Sequence, residues 1–347
     1  MASSTDDPHV VSSGNSAPAK AAANDAGAAT GSPPSAAATP APSAAVVLPV
    51  DGAATGDLAL SGPFGPYRAR YGGARPASIA ALALPPARMP LRRGTRPLKQ
   101  WRYVGVYGDQ LMLCVGAVRV GVAQQSFWAV WSRAWEARLR ERTRLSHRGV
   151  VLGMDRPGRV QVRADDVEID LLLDEVDGVE TVCPHGGAYA WTRKQGGVRA
   201  HGEVVLDGVA HALDARAIVD DSAGYHARRT AWRWSAGVGR TDDGRDAAWN
   251  LVEGINDPLT GSERTVWLDG EPRETAPARF APDLSGVSTD DGATLRFAAE
   301  AVREREENML LVRSSYRQPF GTFSGTLPGG IALAEGFGVM ERHTALW

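Results

Sequence analysis

Lysine is nearly absent from this chain of 347 residues, which holds only Lys20, Lys99 and Lys194. Arginine supplies the rest of 38 basic residues, which stand against 40 acidic ones for a formal charge of -2. A chain this close to neutrality has no basic face for nucleic acid and no polybasic segment for a membrane surface. Cysteine is scarcer still. Cys114 and Cys183 are far apart, lie in apolar surroundings and show no Cys-x-x-Cys or Cys/His metal spacing. They read as two buried thiols in a reducing cytoplasm, with no disulfide and no metal expected. No apolar run approaches the roughly 20 residues of a membrane-spanning helix, so no integral membrane segment is expected. Residues 1–10 lack the basic-then-apolar order of a signal peptide, and the expected location is cytoplasmic. The phosphate-binding loop, the dinucleotide glycine motif, the His-Glu-x-x-His helix and the Gly-x-Ser-x-Gly elbow are all missing. No cofactor is therefore expected.

Residues 1–60 are Ala, Ser, Pro, Gly and Thr with hardly an aromatic side chain. Such a stretch cannot bury enough surface to offset its ordering entropy, and it reads as a disordered leader. An ordered region follows. Residues 99–107 alternate as a strand does, with Trp101, Tyr103 and Gly105 on one face. Residues 198–206 and 209–215 flank Asp207-Gly208, a hairpin turn that needs positive φ. Segments around Trp191, Trp267, Phe297 and Phe323 repeat the rhythm of short strands between turns. The charged stretch 298–308 reads as a solvated edge, or as a turn or two of helix. Many short strands and little amphipathic helix indicate an all-β sandwich or barrel.

The densest chemistry lies between residues 212 and 250. Thr230, Trp232 and Trp234 share one face of a strand, with Asp220, Asp221 and His226 just upstream. Two indoles beside carboxylates suit the wall of a pocket for an apolar or amphipathic molecule. They equally suit an ordinary barrel core with a charged rim. Asp220 and Asp221 follow the apolar run 217–219 and precede Ser222-Ala223-Gly224, which places them at a strand end near a barrel opening. In the last segment, Phe337, Val339, Glu341 and His343 fall on one face, so a carboxylate and an imidazole share an apolar surface.

Several blocks carry a family resemblance. They are Lys99-Gln-Trp101-Arg-Tyr103, Asp220-Asp221 with Thr230-Ala-Trp232-Arg-Trp234, and Asn250-Leu-Val-Glu-Gly254. Glu263 with Trp267-Leu-Asp269-Gly270, Gly321-Thr-Phe323-Ser-Gly325 and Gly336-Phe-Gly338-Val-Met-Glu341-Arg-His343 follow. In order and spacing they resemble the bacterial family of unknown function 2804, over residues 99–347. That family is similar in outline to carotenoid 1,2-hydratases and tocopherol cyclases. The resemblance implies two consecutive lipocalin-like antiparallel barrels or half-barrels. With the leader at 1–60, the first would occupy 61–210 and the second 211–347. It implies no activity.

Two functional expectations follow. In the first, the barrels hold a small apolar ligand of lipid or isoprenoid type, with Trp101, Trp232, Trp234 and Trp267 as the wall. In the second, the protein is an isoprenoid hydratase or cyclase that protonates an alkene with a buried carboxylic acid. Asp220 and Asp221, beside the Trp232 strand, and Glu341, next to His343, are the candidate groups.

Overall fold

Residues 64–346, apart from 136, 310 and 311, are described by a computed structural model. The leader expected at 1–60 and the terminal Trp347 lie outside the described residues. In chain order the elements begin with β1 (Tyr67–Arg70), a single helical turn α1 (Ala77–Ala80), β2 (Arg92–Arg93) and β3 (Arg96–Pro97). The long strands then start with β4 (Lys99–Tyr107), β5 (Leu111–Val120), β6 (Ala123–Ser132) and β7 (Arg138–Arg144). Next come β8 (Val150–Gly153), β9 (Arg156–Arg163), β10 (Val167–Leu173), β11 (Val179–His185), β12 (Ala188–Leu206) and β13 (Val209–Gly224). The last third holds β14 (Arg229–Thr241), β15 (Asp246–Glu253), β16 (Thr265–Leu268), β17 (Glu271–Glu274) and β18 (Ala278–Phe280). It ends with β19 (Gly286–Thr289), β20 (Thr294–Met309), β21 (Val312–Leu327) and β22 (Ile331–Leu346).

The fold is all-β, as expected, and is built from two large antiparallel sheets. The first has eleven strands, with the path β7-β6-β5-β4-β13-β12-β10-β9-β8, with β11 attached to β12 and β1 to β11. The second has nine, in the order β17-β16-β15-β14-β22-β21-β20-β19-β18. The two paths share one plan. In each, strands pair with their sequence neighbours, and the last strand (β13, β22) returns beside the first (β4, β14). In each, the fourth and fifth strands do not pair, so the sheet stays open along one seam. Residues 225–228 carry the chain from one sheet to the other.

Turn chemistry sets the register. Asp207-Gly208 and Asp269-Gly270 both adopt positive φ at both residues, at 48° and 83° and at 50° and 83°. That is the two-residue geometry whose twist matches the flanking strands. The stretch 298–308, expected as a solvated edge or helix, is instead part of the sixteen-residue β20. Its charges alternate: Ala301 and Arg303 turn inward and are buried, while Glu304 turns outward and pairs with Arg317.

Strand alternation divides the apolar side chains among separate cores. Val104, Val106, Val115, Ile169 and Val219 fill the inside of the first open barrel. Trp249, Leu295, Phe323 and Met340 fill the second. The opposite faces pack on each other: Tyr103, Tyr107 and Ile218 of the first sheet meet Trp234, Val339 and Phe320 of the second. A glycine shapes this face. A methyl group on Gly105 would overlap the ring and hydroxyl of Tyr107, which lies flat across the position towards Tyr103. The connector before β4 caps one end, with Ile79, Leu84 and Met89 against Trp191 and Tyr225.

Candidate functional site: a cavity between the sheets

A cavity of about 280 Å³ opens between the two packed faces rather than inside either barrel. Its apolar wall joins Trp101, Val118 and Phe127 of the first sheet to Trp232, Trp234 and Val252 of the second. Trp101 and Trp232 face each other across the sheets, nearly parallel at 9°, with ring centroids 6.4 Å apart. Tyr103 meets Trp234 edge to face at 5.3 Å. These contacts follow from alternation, because Trp101 and Tyr103 share a face of β4, and Trp232 and Trp234 share a face of β14.

Glu341 sits on that wall. It lies on β22, between β14 and β21, so that donors reach it from both neighbours. Trp232 Nε1 donates to Oε1 at 2.8 Å; Tyr316 Oη and Gln318 Nε2 donate to Oε2 at 2.9 and 3.0 Å. Burial raises the proton affinity of Glu341 above that of an ordinary carboxyl, against the opposing pull of Trp232 and Tyr316. Burial likewise holds the phenols of Tyr316 and Tyr103 well above 10, so both stay neutral. His343 is packed by Trp232 and Tyr316, and its Nε2 lies 2.8 Å from Ser314 Oγ. Burial, then the nearby Arg303, pushes the imidazole down to about 3, so it is neutral at physiological pH. The Arg303 guanidinium stacks on Phe127 at 4.2 Å and on Tyr316 at 4.8 Å.

A second polar group stands on the same cavity. Lys194 of β12 is the register partner of Asp220 on β13, and its Nζ lies 2.6 Å from Asp220 Oδ1. Glu263, from the loop before β16, approaches the same Nζ at 3.4 Å. Burial alone would lower Lys194, but the two carboxylates outweigh it and raise it. Glu263 is raised by burial, with Lys194 opposing and Asp220 adding to the shift. Ser222 donates to Asp220 Oδ1 at 3.1 Å, and no hydrogen bond among the described residues reaches Oδ2. From Glu263 the contacts continue through Asn256 to His185.

Of the sequence-derived candidates, Trp101, Trp232, Trp234, Asp220, Glu341 and His343 all line the cavity. Trp267 packs flat over Gly196 in the inter-sheet core and lies outside the lining. Asp221 points the other way, where Arg102 Nη1 grips both its oxygens at 2.8 Å and Glu175 takes the other arm of the guanidinium. Neither aspartate is at a strand end, because β13 continues to Gly224. Lys194, Tyr316 and Arg303 are lining residues that sequence reasoning did not single out. Their one local signal is a polar residue at an inward position of a strand. Among the described residues, no group of three or more His, Cys, Asp or Glu side chains converges as metal ligands would. No helix among them is long and apolar enough to cross a membrane.

Two large antiparallel sheets packed face to face around an aromatic cavity define the class of protein. The chain belongs to the family described as a domain of unknown function, DUF2804, whose model matches residues 141–347. No curated protein matches it. Among solved structures, it is similar to an AttH-type protein from Nitrosomonas europaea, with 13% identity and a TM-score of 0.46 over 76% of this chain and 98% of that one. It is also similar to kievitone hydratase from Nectria haematococca, with 12% identity and a TM-score of 0.45 over 70% of this chain and 88% of that one. The similarity to CghA has 10% identity and a TM-score of 0.34 over 80% of this chain and 97% of that one.

Proposed function

We propose that this protein binds a small apolar molecule of lipid or isoprenoid type in the cavity between its sheets. The observation that carries the reading is the cavity wall itself, where Trp101 and Trp232 stand parallel across the two sheets. Aromatic faces exclude water and give a long hydrocarbon a large contact area at low entropic cost. Fluorescence of the cavity tryptophans, titrated with a prenyl alcohol, a carotenoid and a fatty acid, is the direct assay. Saturable quenching by at least one is expected, and Trp232→Ala should weaken it by roughly 2 kcal/mol or more. A folded protein quenched by none of them would refute the reading.

A second reading is favoured by one observation: Glu341 is a buried carboxyl on the cavity wall with its proton affinity raised. In that reading the protein is an enzyme and Glu341 passes a proton to the bound molecule. Protonation of an isoprenoid alkene, as in a hydration or cyclisation, is one form of it. Conversion of a bound prenyl compound by the purified protein alone would separate enzyme from carrier.

A further inference from the structure

The cavity presents two proton-handling groups, and they come from different sides of the site. Glu341 and Tyr316 belong to the second sheet. Asp220 belongs to the first and is anchored by Lys194 and Ser222. The two groups are close neighbours in the packing. Tyr103, the register partner of Asp220, accepts a hydrogen bond from Gln318 Nε2 at 3.4 Å, and the same nitrogen donates to Glu341. Their surroundings differ in kind. Both anchors of Asp220, a lining residue, hold Oδ1, and among the described residues no hydrogen bond reaches Oδ2. Glu341 is enclosed by Trp232, Tyr316 and Gln318. One carboxyl anchored by an ammonium and a hydroxyl, and a second enclosed by an indole, a phenol and an amide, give one cavity two differently held proton-transfer groups, as separate base and acid roles require.

We propose that the cavity catalyses a 1,3-proton shift in a bound unsaturated carbonyl compound, with Asp220 as the base and the Glu341–Tyr316 pair as the hydrogen-bond acid at the carbonyl oxygen. This rests on the reading that the cavity binds an apolar ligand, and it names the functional group that ligand carries. A carbonyl suits the site better than a bare alkene. A carboxyl whose proton affinity is raised by burial is a weaker acid, poorly matched to carbon protonation but well matched to donating a hydrogen bond to oxygen. When Glu341 carries its proton, the bond to Tyr316 reverses: Glu341 donates to the phenol oxygen, and the Tyr316 hydroxyl turns its hydrogen to the ligand.

The step balances without a co-reactant. The C–H bond α to the carbonyl breaks and its proton passes to Asp220 Oδ2. The electron pair forms a carbon–carbon double bond while the carbonyl π pair moves to oxygen. That oxygen takes the Tyr316 proton as Tyr316 takes the Glu341 proton. Return of the Asp220 proton to the γ carbon, and of the oxygen-bound proton through Tyr316 to Glu341, restores the carbonyl with the double bond moved one position. Asp220, Tyr316 and Glu341 are the catalytic residues of this scheme.

The experiment uses α-ionone, an isoprenoid enone that carries a hydrogen on its γ carbon, in D2O with the full-length protein. Tryptophan quenching measures its binding, and mass spectrometry measures deuterium entering at the positions α and γ to its carbonyl. The expected result is saturable quenching and exchange at least 10-fold faster than in protein-free buffer. At saturating α-ionone, where affinity no longer enters, Asp220→Asn and Tyr316→Phe should each lower the exchange rate at least 10-fold. Tyr316→Phe keeps the test open should Asp220→Asn fail to fold beside buried Lys194. Quenching without accelerated exchange would overturn the proton shift and leave binding intact. Exchange unchanged in folded variants would overturn the assignment of these residues. No quenching by α-ionone, prenyl alcohol, carotenoid or fatty acid would remove the binding reading and the proposal with it.

Discussion

Replacing His343 with phenylalanine should make the protein less sensitive to acid. The imidazole lies 4.3 Å from the Trp232 ring at 72° and 5.3 Å from the Tyr316 ring at 86°, so a flat ring already fits there. Burial, then Arg303, holds it at about 3 against an ordinary value of 6.5. With the folded-state value depressed, the unfolded chain takes up the proton first as pH falls. The stability that a neutral His343 contributes is complete above 6.5 and is lost progressively between 6.5 and about 3. Each pH unit in that window is worth about 1.4 kcal/mol, so at pH 4.5 the loss is about 2.7 kcal/mol at most. The ring borders a cavity that water can enter, and screening there reduces this to about 1 to 2 kcal/mol. At pH 7 the variant instead loses the Ser314 contact, at a cost of about 1 kcal/mol. His343→Phe should therefore be the less stable protein at pH 7 and should equal or exceed the parent at pH 4.5. Urea unfolding at both pH values and one ionic strength measures the gap. A gap that is the same at the two pH values would refute the reasoning.

Three further outcomes follow from the packing. Gly105→Ala should cost about 1 to 3 kcal/mol in chemical denaturation, since the added methyl displaces buried Tyr107 and breaks its 3.0 Å bond to Tyr103; an unchanged midpoint would show that the Tyr107 ring does not lie across the glycine. Asp221→Ala should cost about 3 kcal/mol, the low end for a broken buried pair, because Glu175 still holds the other arm of Arg102. Cys114 is pushed up to about 12 and Cys183 higher still, by burial in both cases, so neither should react with a maleimide at pH 8 until the chain is unfolded; rapid labelling of the native protein would contradict their burial.

The strands were legible because one face of each is wet or lies on a different core from the other. Alternation alone puts Trp101 with Tyr103, Trp232 with Trp234 and Glu341 with His343, and the Asp-Gly pairs mark hairpin turns. Where both faces are buried, alternation carries less information. β13 is buried from Ala217 to Gly224, so Asp220 and Asp221 look like the end of an apolar run when they are its middle. Their pairing with Lys194 and Arg102 depends on the register of β12 and β4, which no local pattern specifies. The stretch 298–308 misleads for the converse reason. It is polar on both faces, but its inward arginine is covered by Tyr316 of the next strand and by Phe127, which lies far away in the chain.

The position of the cavity follows from the same division of faces. One face of each sheet is packed with its own aliphatic and aromatic side chains. The faces turned outward carry residues that an isolated barrel could not expose to water: Trp101, Tyr103 and Phe127 on one sheet, Trp232, Trp234 and Phe337 on the other. Packing the two faces together removes that surface from water. Both sheets twist, so their surfaces meet closely along Tyr107, Ile218, Val339 and Phe320 and part where the cavity lies. Glu341, Asp220 and Lys194 are placed in that gap by strands whose other residues make the join. The inter-sheet join and the candidate site are therefore one structure, and an Asp220 or Glu341 side chain cannot be brought into the cavity by either sheet without the other closing it.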